Sequence, residues 1–375
     1  MEFKDLRVAA LMTIGTLVIS GCQPTEETSI IADNTNIIGE TGVIPTFRVD
    51  PDWPKLPEGW LLGDVSSVDI DSEGNAWLLH RPRTLPPEHA HMAAPPVIGF
   101  DPDGNFYRAW GGDGIGYDWP QREHGLHIDD QDHAWLGGNN CPARNLPGLE
   151  PEADDQLLKF TLNGQLVMQI GESNASGGNS DTRNLHEPAD SFVHAATNEI
   201  FVADGYGNHR VIVFDADTGA FKRMWGAFGN VPVDKDECPN MPVEVQPGPG
   251  PDQLSIVHAI RVSNDGMVYV ADREHRRVQV FTLEGEFVDQ LVWLEAPFAR
   301  NLALSHDPDQ QFLYVGGGTG YKVVDRHTLE ILTTIEGDGI IGPGHQTRTD
   351  ANGNLYIAAT GSGYQRLLFT GFVPR

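Results

Sequence analysis

The chain has 375 residues, of which 53 are acidic and 25 basic, for a formal net charge of −28. Such a surface repels nucleic acid and anionic lipid, which removes both as partners, and it keeps an exported protein in solution. Any anionic ligand would need a local basic site against this field, so arginines aimed into a channel become informative.

The N-terminus places Lys4 and Arg7 among polar residues, continues with an apolar run from Val8 to Ile19 and closes with Ile19-Ser20-Gly21-Cys22. A basic flank, a short apolar core and small residues before a cysteine predict a bacterial lipoprotein signal over residues 1–21, because the run is too short to span a bilayer stably. The mature protein is then expected to begin at a lipid-modified Cys22. That makes it exported and lipid-anchored to the bacterial envelope, touching the membrane only through the anchor. Residues 22–45, polar and aperiodic, predict a flexible tether. The other cysteines, Cys141 and Cys238, lie in Pro/Asn-rich loops, and an oxidising compartment permits a bridge between them.

From Thr46 onward the pattern is β. TFRVDPDWP (46–54) reads as a lone outer strand. Six units follow: VSSVDIDSEGNAWLLHRP, HGLHIDDQDHAWLGGN, DSFVHAATNEIFVADGYGNHRVIVFD, HAIRVSNDGMVYVADREHRRVQVF, NLALSHDPDQQFLYVGGGTGYKVVD and HQTRTDANGNLYIAATGSGYQRLLF. Each has an alternating apolar strand, an Asp/Asn/Gly turn and a second such strand, and none carries a convincing 3.6-residue period. The 354 residues from Cys22 divide into units of about 59, more than an ordinary blade needs, and the excess is expected in Pro/Gly-rich insertions at 82–119, 139–155, 172–188 and 229–255. The prediction is an all-β, six-bladed β-propeller over 46–375. The 46–54 strand completes the last blade, whose final strand ends near Phe369, so that no edge is left unpaired. ADREHRRVQVF and ADGYGNHRVIVF resemble NHL repeats, a propeller-forming class. Arg210 and Arg277 belong to that repeat and are read as scaffold, packing and pairing between blades with Asp204 and Asp272.

Three histidines stand at one place in alternate units. His124, His258 and His345 are each followed eight residues later by a turn residue, Asp132, Gly266 and Gly353. Aligning the units gives Ser66, His124, Asp190, His258, Asn301 and His345 as channel-end positions. Every second blade of a six-blade ring would then set three imidazoles around the axis at about 120°. Three neutral imidazoles with a fourth position open suit zinc in a catalytic arrangement; the bland alternative is three histidines bonded to one another or to a water plug. His89, His91, His127, His133 and His186 lack this placement and are expected at the surface or in loops.

Arg81 and Arg273 share a register fifteen residues past Ser66 and His258. They either clamp a carboxylate and polarise a carbonyl near the metal, or pair with local acids such as Glu274. Tyr206 sits in a loop one residue longer than its blade 4 counterpart. It is either a base with a lowered pKa near zinc and arginine, or an exposed aromatic at a loop tip.

Taken together, His124 in EHGLHID, Asp190 in PAD, Tyr206 in VADGYGNHR, His258 in VHAI, Arg273 in ADRE, Arg81 in HRP and His345 in GHQ resemble the catalytic core of peptidyl-α-hydroxyglycine α-amidating lyase. The resemblance covers roughly residues 46 to 375. It implies a zinc ion on His124, His258 and His345, Tyr206 as base, Arg81 and Arg273 as substrate-handling residues, and cleavage of a peptidyl- or acyl-α-hydroxyglycine to a primary amide and glyoxylate. It also implies a calcium ion held by carbonyls of Val68 and Leu126 and by the residue after the third histidine. That residue is Gln346 rather than an aspartate, which weakens the calcium site. The family's cysteine after the tyrosine is Gly207, so the tyrosine loop must be held in another way. The expected enzyme is a monomer acting on a small-molecule or peptide substrate with a carboxylate. Two other readings are a non-enzymatic NHL-type propeller binding a protein or glycan at the cell surface, and a metal-dependent lactone or ester hydrolase.

Overall fold

The computed structural model describes residues 42–375 apart from 145, 235–247, 295–296, 338 and 362. The expected signal, most of the tether, the lipidation site Cys22 and the second loop cysteine, Cys238, lie outside the described residues. Cys141 is buried and disulfide-bonded.

Strand β1 (Val43–Val49) precedes the blades. Blade 1 is β2 (Asp64–Ile70), β3 (Ala76–Arg81), β4 (Val97–Phe100) and β5 (Phe106–Trp110), and blade 2 is β6 (Glu123–Ile128), β7 (His133–Gly138), β8 (Gln156–Thr161) and β9 (Leu166–Gly171). Blade 3 is β10 (Pro188–His194), β11 (Glu199–Asp204), β12 (Arg210–Asp215) and β13 (Phe221–Trp225); blade 4 is β14 (Val257–Val262), β15 (Met267–Asp272), β16 (Arg277–Thr282) and β17 (Phe287–Val292). Blade 5 is β18 (Leu302–Leu304), β19 (Phe312–Gly317), β20 (Gly320–Asp325) and β21 (Ile331–Ile335), and blade 6 is β22 (Gln346–Thr349), β23 (Leu355–Ala359) and β24 (Gly363–Pro374). The fold is a six-bladed β-propeller, and the helical segments among the described residues are short 3₁₀ turns.

Period-2 alternation builds the ring. Along β11, Ile200 and Val202 pack towards blade 2 while Phe201 and Ala203 pack towards blade 4. Along β3, Trp77 and Leu79 face blade 2, and Ala76 and Leu78 face blade 6. Each seam between neighbouring blades holds its own apolar cluster, including the last-to-first seam, where Tyr356 and Ala358 meet Val65, Val68 and Ile98. A strand buried on both faces can remain alternating because each face serves a different neighbour.

The ring closes as expected: β1 pairs antiparallel with β24, with Phe47 opposite Phe369, and blade 6 has the order β1-β24-β23-β22. The closing strand starts at Val43, three residues before Thr46, and its partner runs on to Pro374. One insertion differs from expectation. Residues 82–119 contain β4 and β5, so the true excess there is two 3₁₀ turns and the segments flanking them. Glycine and proline around VIGF masked a strand whose four residues are all buried.

The hairpin turns explain the eight-residue spacing. In blades 1, 2 and 6 an aspartate accepts from the backbone two and four residues on and from the aromatic side chain six on. Asp129, for example, takes Gln131 N–H at 3.0 Å, His133 N–H at 2.8 Å and the Trp135 indole at 2.9 Å. The same pattern joins Asp71 to Trp77 at 2.8 Å and Asp350 to Tyr356 at 3.1 Å. The turns need one residue at positive φ, supplied by Asp132 (59°), Gly266 (83°) and Gly353 (79°). A fixed turn at one end of the inner strand thus fixes which residue stands at the other.

Arg210 and Arg277 pair with Asp204 and Asp272 at 2.8 Å, but within their blades, as directly opposed cross-strand partners. Their remaining N–H groups hold the incoming loop: Arg210 donates to the Asn179, Asp181 and Asn184 carbonyls, and Arg277 to Pro249, Pro251 and Gln253. Scaffold is the right reading; inter-blade pairing is replaced by loop anchoring.

Candidate metal centre

At the channel end of the inner strands the ladder carries one extra residue. The irregularities fall at Ser66 in blade 1, at His124–Gly125 in blade 2, at Ala189 in blade 3 and at His258 in blade 4. His345 and Gln346 in blade 6 likewise both bond Ala358, and Arg300 of blade 5 donates to Gly316. A bulge re-aims its side chain out of the pleat, here towards the axis. The register is therefore Ser66, His124, Ala189, His258, Arg300 and His345; the expected Asp190 and Asn301 each lie one residue further along, because the bulge is invisible to a spacing count.

This register has a purpose in odd and even blades alike. His124 Nδ1 donates to the Ala189 carbonyl at 2.7 Å, His258 Nδ1 to the Arg300 carbonyl, and His345 Nδ1 to the Ser66 carbonyl at 2.6 Å. Each even blade contributes an imidazole, and the following odd blade contributes the carbonyl that orients it. A carbonyl can only accept, so Nδ1 carries the proton and each Nε2 lone pair faces the axis. Ring centroids lie 4.4 to 4.9 Å apart, and the three ligand atoms fall within 4.8 Å of one another. Burial pushes all three imidazoles well below the ordinary histidine range, helped at His124 by the other two rings and at His345 by Arg81 and Arg273. Convergent, neutral, oriented nitrogen donors fit a zinc ion.

Tyr206 completes the centre. Its phenolic oxygen lies 3.0 Å from His124 Nε2 and 3.1 Å from His258 Nε2, and Arg273 Nη1 donates to it at 2.9 Å. It is 6 % exposed, which rules out a loop-tip aromatic. Two glycines aim it: a Cβ on Gly205 would lie 2.2 Å from Val257 N, and one on Gly207 would lie 2.3 Å from the His186 ring. Backbone N–H groups of Tyr206 and Gly207 bond the Glu187 and His186 carbonyls at 3.3 and 3.0 Å. That close packing is how the loop is held with glycine in place of cysteine. Arg273 also pairs with Glu274 at 2.8 Å, the local acid that one of its two sequence readings named. Arg81 reaches the same end, its Nε donating to the Glu123 carbonyl at 2.7 Å, and burial together with Arg122 pushes it down to about 10.

Two of the expected calcium ligands have protein partners. The Leu126 carbonyl accepts Arg348 Nη2 at 3.2 Å and the Ser67 hydroxyl at 3.3 Å, and Gln346 Oε1 faces Arg261 Nη2 at 3.5 Å. Val68 is buried in the adjoining seam. Arg348 and Arg261 form a charge-balanced lattice with Asp69 and Asp190. Arg348 Nη2 lies 3.4 Å from Asp190 and Arg261 Nη1 2.6 Å from it. Arg348 Nε lies 3.1 Å from Asp69, an ion pair without hydrogen-bond alignment. Two guanidinium groups thus already supply the positive charge calcium would bring. His127 belongs to this lattice, bonded to Asp69 at 2.8 Å and stacked on Phe192, and is buried, contrary to expectation. His89 and His91 are exposed, and His133 and His186 half-buried. No spacing along the chain reveals the lattice, because Asp69, Asp190, Arg261 and Arg348 stand on four different blades and meet only through ring closure.

No protein-family model matches the chain. It is 28% identical to peptidylglycine alpha-amidating monooxygenase of Rattus norvegicus over 291 residues, covering 72% of this chain and 25% of that protein. NHL repeat-containing protein 3 of Mus musculus is 26% identical over 281 residues, 72% of this chain and 67% of that one. A probable peptidyl-alpha-hydroxyglycine alpha-amidating lyase of Caenorhabditis elegans is 28% identical over 161 residues, 42% of this chain and 36% of that one. The chain spans about a quarter of the length of the amidating monooxygenases it matches. A solved structure of the WD40 beta propeller domain of Doa1 overlays 87% of this chain and 97% of its own with 12% identity and a TM-score of 0.49. The chain is thus a distant relative of amidating enzymes and of NHL-repeat proteins.

Proposed function

We propose that this protein is a zinc-dependent carbon–nitrogen lyase that converts R-CO-NH-CH(OH)-COO⁻ into R-CO-NH₂ and glyoxylate. The observation that carries this reading is a phenolic oxygen within hydrogen-bond reach of two inward-facing imidazoles and a guanidinium. The distant amidating relatives support it.

His124, His258 and His345 would hold the metal. When bound, zinc supplies Lewis acidity that makes the substrate hydroxyl a better proton donor. Tyr206, as its phenolate, takes that proton and becomes neutral, and Arg273, donating to the phenolic oxygen, balances the negative charge the phenolate carries before the transfer. The oxygen lone pair then forms the aldehyde C=O as the C–N bond breaks, and the proton returns from Tyr206 to the departing amide nitrogen. Arg81 and Arg273 orient the carboxylate and the amide oxygen, so the scissile bond meets the base in one pose. No redox cofactor is needed, since the reaction is an elimination. We read the protein as exported, anchored through Cys22, and monomeric.

Zinc-loaded protein is expected to release glyoxylate from N-acyl-α-hydroxyglycines, with about one zinc per chain and full loss of turnover on chelation. A zinc-replete protein that leaves such substrates intact overturns the reading.

A further inference from the structure

One carboxylate does not account for the positive charge at this site. Five guanidinium groups, Arg81, Arg122, Arg144, Arg273 and Arg300, surround Tyr206 closely enough to act on it or on one another. Arg144 is paired with Glu187 at 3.3 Å and Arg273 with Glu274 at 2.8 Å. Among the described residues, Arg81, Arg122 and Arg300 have no carboxylate within 4.0 Å. Arg81 is 3 % exposed and its Nη2 is buried with no hydrogen-bond partner. Leaving a buried guanidinium N–H open is costly, and in a chain of charge −28 the acids to pair it were abundant. Their absence here points to an anion from outside.

A cavity of about 280 Å³ opens beside Arg81 and Arg122, with Arg83 at its rim and Leu146, Pro147 and Leu149 forming an apolar side. Its two acids act on Arg81 and Arg122 only from beyond ion-pair distance, and each also accepts a hydrogen bond. Asp64 accepts the Gly361 N–H at 3.0 Å, and Glu123 accepts the Trp119 indole at 2.9 Å. Among the described residues, the Arg122 guanidinium has one hydrogen bond, to Asn139 at 3.3 Å. Arg273 touches the phenolic oxygen directly, so an anion it holds belongs to the reacting carbon. Arg122 touches neither Tyr206 nor an imidazole, so an anion it holds belongs to the far end of the substrate.

We propose that this cavity seats the acyl half of the substrate and selects acyl groups that end in an anion, held by Arg122 with Arg83 at the rim. The preferred substrate is thus a dianion: the hydroxyglycine carboxylate at one end and a second carboxylate, or a group of like charge, at the other. The hydroxyglycine half of this statement rests on the lyase reading.

The test compares N-succinyl-α-hydroxyglycine with its neutral isostere N-succinamoyl-α-hydroxyglycine. Wild type is expected to favour the succinyl compound by about tenfold in kcat/KM, the difference residing in KM and shrinking at high salt. In Arg122→Gln the ratio should fall towards one, and Arg122→Lys should retain part of it. Equal kcat/KM for the two compounds in wild type overturns the anion subsite and leaves the lyase reading standing. Release of glyoxylate from neither overturns the lyase reading; the subsite is then decided by titrating zinc-loaded protein with succinamate and succinamide. Salt-sensitive binding of succinamate alone, lost in Arg122→Gln, upholds it, and no binding sinks it. Should Arg122→Gln fail to fold, Arg83→Gln at the rim takes its place, with the same loss of preference expected.

Discussion

Arg348→Met tests whether the guanidinium lattice stands in for calcium. Arg348 is 5 % exposed and lies 3.1 Å from Asp69 and 3.4 Å from Asp190. Burial works to raise the Asp69 carboxyl, yet Arg348 and His127 hold it below its ordinary value, while burial pushes Asp190 up to about 6 despite Arg348. Methionine fills a similar volume but leaves Asp190 with Arg261 as its ion-pair partner and Asp69 with hydrogen bonds from His127 and the Ile128 N–H. Breaking a buried pair in this way costs about 4 kcal/mol, or roughly 8 °C in melting temperature for a domain of this size. The sign of the pH effect follows from Asp190. A carboxyl raised in the folded state above its unfolded value of 3.8 destabilises once ionised, so the deficit is largest at alkaline pH and shrinks as the pH falls towards 4. Removing Arg348 also takes one of two donors from the Leu126 carbonyl, so millimolar calcium should restore part of the loss in the variant and do nothing for wild type. Scanning calorimetry of both proteins in EGTA and in calcium reads all of this. A variant melting within about 2 °C of wild type, or a wild type that itself loses stability in EGTA, refutes the reasoning.

Three further outcomes follow from the centre. Tyr206→Phe should lower glyoxylate release by about 10²- to 10⁴-fold with zinc retained, as read by elemental analysis beside the assay; unchanged turnover would remove the base. Gly125→Ala places a Cβ 2.4 Å from the Ala189 carbonyl that orients His124, so zinc affinity measured by competition with a chelator should fall about 10- to 100-fold. Zinc retention should persist below pH 6.5, because all three imidazoles are held well under their ordinary value of 6.5 and stay neutral there. It should then fall steeply as the pH drops through those depressed values, with up to three protons replacing each ion. Metal loss complete already at pH 6.5 would show that the imidazoles are not held below their ordinary value, and undiminished retention deep into acid would show that they are not the ligands.

The ring and its imidazoles were legible in the sequence because both are periodic. The turns recur with aspartate or glycine at the position requiring positive φ, and eight residues separate that position from the histidine in three units. What periodicity hides is the exception to it. The irregularities at Ala189 and Arg300 leave no trace in composition, so a spacing count lands on Asp190 and Asn301, one residue beyond each. The carbonyls of Ser66, Ala189 and Arg300 are backbone groups, which no side-chain pattern can reveal. Arg122 could have been noticed two residues ahead of His124, but its lack of an acidic partner is a property of the folded neighbourhood alone.

The placement of the orienting carbonyls ties the centre to closure of the ring. His345 stands near the end of the chain and takes its orientation from Ser66 near the beginning, across the same seam where Tyr356 and Ala358 pack on Val65 and Val68. β1 and β24 close that seam at the outer rim, and the His345–Ser66 contact closes it at the channel. An ion held by all three imidazoles therefore joins blades 2, 4 and 6 directly and, through the carbonyls, blades 1, 3 and 5 as well. Because such a ligand set exists only when the ring is shut, the free energy of metal binding adds to the free energy of closure. With an ion bound, the alternation of ligand and carbonyl blades would convert a chemical site into a fastening for the whole propeller, with one residue per blade.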